Sequence, residues 1–159
     1  MERTRKALDK SLGWALVILM AAAVFNVIWQ VFTRYLLASP NSFTEELARF
    51  LLIWIAFLGA ALAVGKRLHL AIDLLPSRLR GRMRHLTVIA IDGCVLLFAF
   101  FVLVLGGAQL VRLQLMLGQT SAALNVPMGY VYGVVPLSGL LITVYAAGFI
   151  RESVNEIRE

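Results

Sequence analysis

The sequence predicts an all-α integral membrane protein with four transmembrane helices and an interfacial amphipathic segment between the second and third. Three observations lead there. The first is the stretch 43–73, FTEELARFLLIWIAFLGAALAVGKRLHLAID, where an acidic pair and an arginine open a long apolar run that closes in a basic cluster. About 20 residues at about 1.5 Å rise cover the hydrocarbon core of a bilayer, whereas a soluble core helix has no need to be apolar on every face for that length. The second is composition: the 159 residues are 60% hydrophobic and 15% charged, and mean hydropathy is +0.84. A soluble domain would carry about 25% charged residues. The third is the placement of the charges, which flank apolar spans and do not form a basic face for nucleic acid, although the net charge is +6.

The spans are predicted at about 12–32, 47–64, 86–110 and 126–150, within a single membrane domain covering 1–159. The first follows a basic start (Arg3, Arg5, Lys6) and contains Ala21-Ala22-Ala23, which imitates a signal-peptide cleavage site. Its apolar run exceeds the roughly 7–15 residues of a signal h-region, so it reads as a retained span. Ser39-Pro40-Asn41 ends the first helix. Ser42 followed by Glu45 fits a capping box at the start of the second. Leu68, Leu70, Ala71, Ile72, Leu74 and Leu75 then form the interfacial segment, with Lys66 and Arg67 toward lipid phosphates. Pro76-Ser77 restarts a helix whose Leu79, Met83 and Leu86 share a face. The third span is expected to continue as helix beyond the bilayer. The fourth opens with Asn125-Val126-Pro127, a cap with proline in the first turn, and Pro136 should kink it.

Lysine and arginine fix an expected orientation. Twelve lie at the N-terminus, in the 66–84 connection and at the C-terminus, against three (Arg34, Arg49, Arg112) on the other side. By the positive-inside rule both termini are cytoplasmic.

Polar residues inside apolar spans are the functional suspects, because lipid cannot satisfy them. Asn26, Gln30, Thr33 and Arg34 form one stripe on the first span. It reads as a transport pathway or as hydrogen-bonding glue between helices, and glue is preferred. Glu45 and Arg49 stand four apart in the order that favours an ion pair, and Arg34 and Arg49 are expected to face Glu45 and Glu46. Asp92 needs a basic partner, in this chain or another. Gln109 and Arg112 suit interfacial anchoring by a snorkelling arginine. His69 and Asp73 fall on one helical turn, too few for a metal site, and suit a surface or partner contact. Trp14, Trp29, Trp54, Tyr35, Tyr130 and Tyr132 are expected to act as interfacial aromatics. Gly129-x-x-x-Gly133 and the run from Gly59 to Ala63 would permit close helix approach. Cys94 stands alone, so no internal disulfide is possible. The sequence holds no Ser-His-Asp set, no Cys/His zinc cluster and no phosphate-binding glycine loop, and it is not expected to be an enzyme.

One group of motifs supports a family resemblance. These are Arg34-Tyr35; Thr44-Glu45-Glu46-Leu47-Ala48-Arg49; Trp54 with Phe57-Leu58-Gly59-Ala60-Ala61; the basic cluster with His69, Ile72 and Asp73; and Ala123-Leu124-Asn125-Val126-Pro127 with Tyr132 and Pro136. Over nearly its whole length the chain resembles the small membrane subunit (Q-type, DctQ-like) of tripartite ATP-independent periplasmic, or TRAP, transporters. It departs at Phe43, where tryptophan is expected, and at Met128-Gly129, where an aromatic usually follows the proline. The resemblance implies an accessory scaffold subunit of a sodium-coupled importer of organic acids, of the C4-dicarboxylate or sialic acid class, in a bacterial inner membrane. Its partners would be a large permease subunit, which would hold the Na+ and substrate sites, a periplasmic binding protein and membrane lipids. No cofactor would reside in this chain. Arg34, Glu45, Glu46 and Arg49 would organise the outward end, with Pro127 among the anchoring positions. The competing reading is a self-sufficient small four-helix transporter acting as a homodimer. Such carriers rely on an acid deep in the first span, where this chain has Asn26 and Gln30. A lipid-modifying enzyme is disfavoured by the lack of clustered acids.

Overall fold

Lipid offers no hydrogen bonds, so a chain this apolar must satisfy its backbone within itself, and helices do so. A computed structural model describes residues 2–36, 41–68 and 82–158, and these are helical apart from connections. α1 is Glu2–Tyr35 and α2 is Ser42–Gly65. α3, Arg82–Phe98, runs on through a π-helical segment, Ala99–Gly106, into α4, Gly107–Met116. α5, Met128–Tyr132, precedes α6, Val134–Arg158. Among the described residues, four helical stretches are long and apolar enough to cross a membrane: Arg5–Tyr35, Ser42–Gly65, Leu86–Met116 and Met128–Asn155. The interfacial segment, with His69 and Asp73, lies outside the described residues.

α6 is the centre of the bundle. It packs against α2, α3 and the π-helical segment, whereas α1 packs its backbone against α2 alone. Of the most apolar window of each span, 39% of the fourth is buried, against 6%, 11% and 6% for the first three. One core cluster joins Leu12, Leu58, Val134, Val135, Tyr145 and Phe149. A second joins Ala61, Ala99 and Ile142 where α2, the third span and α6 meet. The outer side of α1 exposes Trp14, Ile18, Phe25 and Ile28, an apolar surface that the bundle itself does not cover.

Helix ends follow from local chemistry. Asn41 caps α2: its side-chain oxygen accepts the Phe43 N–H at 3.1 Å, so Asn41 replaces the expected Ser42–Glu45 capping box. At the other end of α2, the Arg67 N–H donates to Val64 O and the Leu68 N–H to Ala63 O, each at 2.9 Å. This is a Schellman ending with Arg67 at φ 52°. A left-handed conformation costs a non-glycine residue roughly 1 kcal/mol, so the arginine is held there by its contacts. The same ending closes α4, where Gly118 at φ 60° meets the geometry without that cost.

The fourth span is broken at Gly133, between α5 and α6. Pro136 has no N–H to give to Tyr132 O, four residues earlier, so the helix is interrupted one turn before the proline. Gly133 therefore marks a break and does not serve helix packing: a Cβ there would meet only carbonyls of its own segment. Gly129, its partner in the G-x-x-x-G pattern, does pack, and a Cβ there would lie 2.5 Å from Leu115 Cγ.

The π-helical segment has no proline or polar breaker to announce it; AFFVLVLG reads as ordinary helix. Its role is visible in the packing. A Cβ on Gly139 of α6 would lie 2.6 Å from Leu103 Cβ and 2.9 Å from Val104 N, so α6 approaches the backbone of the π-helical segment directly. Replacing Gly139 by leucine is expected to destabilise the bundle by about 1–3 kcal/mol through overpacking. Gly93→Ala, at a position with nothing within 4 Å of the built Cβ, should be neutral or mildly stabilising. Thermal unfolding in detergent checks both, and equal melting of the two variants would refute the close-approach assignment.

Candidate functional site

The polar side chains collect at the two ends of the bundle. At the end bearing the 36–41 and 117–127 connections, which we term the loop end, Asn26 is buried and donates from Nδ2 to Thr44 O at 2.8 Å. That bond joins α1 to the first turn of α2, a contact that holds the two helices together. Thr33, also buried, donates to Gln30 O at 3.1 Å within its own helix.

The more unusual arrangement is at Glu46. Its carboxylate accepts three successive backbone N–H groups, from Ala122 at 3.2 Å, Ala123 at 2.8 Å and Leu124 at 3.0 Å. Three converging amides form an anion-binding concavity, and here α2 supplies the anion. The loop is shaped to present them. Ser121 is buried and its hydroxyl oxygen accepts the N–H groups of Leu124 and Val126. Asn125 takes φ 53°, and the Ser121 N–H donates to Val126 O at 2.9 Å. A bridge between Thr120 and Pro127, and the Met128 N–H to Gln119 O bond at 2.9 Å, close the base. Asn125 is thus the left-handed turn residue and not the helix cap. Pro127 occupies the cap position of α5 without a side-chain cap.

Trp54 lies deeper. Its Nε1–H donates to Val131 O at 3.1 Å, joining α2 to the short α5 just before the Gly133 break. The indole is half-buried between helices.

At the end bearing the termini, Tyr145 is buried and its hydroxyl donates to Asp9 Oδ1 at 2.6 Å. Gly65 makes room for it: a Cβ there would fall 2.7 Å from Tyr145 Cζ. Arg5 donates to Gly65 O at 2.8 Å, a carbonyl of the last turn of α2. The guanidinium groups of Arg5 and Arg67 each lie 4.2 Å from the Phe149 ring centre. Asp92 stands 3.9 Å from Arg67, a long contact that binds the third span to the end of α2. Side chains from all four spans therefore meet at this end.

Several expected groupings do not form. Among the described residues no ion pair joins Glu45 to Arg49, and neither Arg34 nor Arg49 reaches Glu46. The reason is geometric: Glu46 turns inward to the loop, while Glu45, Arg49, Arg34 and Arg112 are exposed. Arg34 lies near its neighbour Tyr35, 6.0 Å from the ring centre. Among the described residues no group of three or more His, Cys, Asp or Glu could hold a metal ion. Sequence reasoning missed Arg5, Asp9, Ser121, Tyr145 and Phe149. Asp9 carried the one usable signal, as an acid set among the basic residues of the N-terminus.

The model of the family described as "Tripartite ATP-independent periplasmic transporters, DctQ component" matches residues 23–156. The chain belongs to this family. It is 34% identical over 147 residues to the isethionate TRAP transporter permease protein DctMQ of Oleidesulfovibrio alaskensis, covering 84% of this chain and 23% of that protein. It is 34% identical over 88 residues to the sialic acid TRAP transporter small permease protein SiaQ of Vibrio cholerae, covering 55% of this chain and 51% of that one. A Haemophilus influenzae protein named as a TRAP transporter small permease is 28% identical over 136 residues, covering 86% and 83%. The chain thus spans about half of the SiaQ protein and under a quarter of DctMQ.

Within this DctQ-type chain, Glu46 is expected to hold the 119–127 loop. Glu46→Gln replaces one acceptor oxygen by a donor that opposes the loop amides and weakens the bonds that hold them. Hydrogen exchange at Ala122, Ala123 and Leu124 should accelerate measurably. Glu45→Gln should leave those amides unchanged, and equal exchange in both variants would refute the assignment.

Proposed function

We propose that the chain is the stationary small subunit of a sodium-coupled, binding-protein-dependent secondary transporter that imports organic acids, packing against a large permease subunit and anchoring it in the membrane. The observation that carries this reading is the partial match to the isethionate permease protein: 147 residues of this chain correspond to 23% of it. The remainder of such a permease is what a large partner would supply, together with the Na+ and substrate sites. The substrate class follows the names of the relatives, isethionate and sialic acid, both small organic anions.

The geometry supports a static role. The buried polar side chains Asn26 and Tyr145, and the half-buried Trp54, hold helices to one another and do not line a path. With the termini in the cytoplasm of a bacterial inner membrane, as the lysine and arginine distribution favours, the loop end faces the periplasm. The loop fixed by Glu46 then offers exposed Gln119, Thr120, Asn125 and Tyr130 to a soluble binding protein. Rigidity there has a physical use, since a preformed loop loses less entropy on docking.

The test is uptake of isethionate and sialic acid into liposomes under an inward sodium gradient, with this chain alone, with its large permease, and with the binding protein added. Uptake is expected only with all three. Uptake by this chain alone would overturn the scaffold reading in favour of a homodimeric carrier.

A further inference from the structure

Among the described residues α1 and α6 do not touch through their backbones; each packs its backbone on α2, and their side chains meet in one core cluster. At the terminal end they are joined by side chains alone: Tyr145 to Asp9, and Arg5 to Phe149 and Glu152. Between them lies a cavity of about 190 Å3, open to the side, lined by Arg5, Leu8, Val144, Tyr145, Gly148, Phe149 and Glu152. Its floor and walls are apolar, and Gly148 widens it, with nothing within 4 Å of where a Cβ would stand. Among the described residues its mouth carries one cation, Arg5, and one anion, Glu152.

Those two charges are not spent on each other. Arg5 Nη1 and Glu152 Oε2 are 3.7 Å apart, beyond hydrogen-bond distance, and the two side chains are 33% and 53% exposed. An ion pair this open contributes little. Arg5 uses one guanidinium N–H on Gly65 O and has others to give, while Glu152 keeps free acceptor positions. An apolar slot beneath a neighbouring cation and anion, at the boundary of a membrane-spanning helix, matches one chemistry: an acyl chain bearing a phosphate and, next to it, a protonated amine. We propose that this crevice between α1 and α6 binds a phosphoethanolamine lipid, its phosphate on Arg5, its ammonium on Glu152, and an acyl chain along Leu8, Val144 and Gly148. The lipid fills the gap left where the backbones of α1 and α6 stay apart, and so adds to the side-chain contacts that tie the peripheral helix to the central one. The site is independent of whether the complex transports organic acids.

The selectivity follows from the charges. Phosphatidylglycerol offers no cation to Glu152. Phosphatidylcholine offers a cation with no N–H to donate. The full chain, reconstituted into bilayers of equal phosphatidylethanolamine, phosphatidylglycerol and phosphatidylcholine and released for native mass spectrometry, is expected to retain phosphatidylethanolamine. The expected preference is about tenfold over either competitor, the equivalent of one net charge-assisted hydrogen bond. Gly148→Leu should abolish retention by filling the slot, while Gly93→Leu, at another glycine with open space, should leave it unchanged. Glu152→Gln should bring the three lipids to near parity. Equal retention of all three by the wild-type chain, or retention unaffected by Gly148→Leu, would overturn the proposal. So would loss of the lipid when the large permease is added to the wild-type chain, which would assign the crevice to a partner helix.

Discussion

A helix interrupted inside hydrocarbon leaves backbone groups that no water can reach, and neighbouring protein must cover them. The fourth span, the most buried of the four, carries such an interruption at Gly133, because Pro136 withholds the donor that Tyr132 O would have used. The rest of the bundle is arranged around that span. Trp54 reaches from α2 to Val131 O on the near side of the break. Gly107 of the third span lies against Pro136, a built Cβ falling 3.0 Å from Pro136 Cδ. Leu115 fills the space above Gly129. A broken central helix would be a weak point in isolation; packed on two sides, it becomes the surface to which the others are fitted.

The same constraint explains why the two ends are clasped by such different means. The loop end has to fix a connection, so it uses a carboxylate against a row of backbone amides, an interaction that specifies the path of the chain as well as its position. The terminal end has to fix helices that diverge, so it uses long side chains, Arg5 and Arg67 on Phe149 and Tyr145 on Asp9. Both reach across gaps that backbone contacts do not close. Arg67 in its left-handed ending shows that this end is specified with some force, since a glycine would have met the turn at lower cost and could not have reached Phe149 or Asp92.

Much of the fold was legible in the sequence, because hydrophobic length and charged flanks are properties of residues taken one at a time. The four spans, the break near Pro136 and the structural use of Asn26 all come from that level. The sites were less legible, since they depend on which way a side chain turns. Glu45 and Glu46 are adjacent and chemically alike, and only the position of the 119–127 loop decides that Glu46 is engaged and Glu45 is not. The spacing of Glu45 and Arg49 permitted an ion pair that the exposed surface gives no reason to hold. The π-helical segment was invisible for a related cause: AFFVLVLG is apolar under either hydrogen-bond register, and the close approach of Gly139 lies thirty-odd residues further along the chain.

Polarity within the bundle has a direction that bears on mechanism. A carrier that moves ions needs titratable or coordinating groups that change partners, and such groups are held loosely. Here the buried amide of Asn26, the hydroxyl of Tyr145 and the carboxylate of Glu46 are each bound to a backbone group or to a fixed side chain, at 2.6–3.2 Å. Releasing the Asn26 amide would leave a buried polar group without its partner, at a cost of about 1–3 kcal/mol. Groups so committed resist rearrangement. That resistance follows from the bonds themselves, since Asn26, Tyr145 and Glu46 each hold one element of the bundle to another.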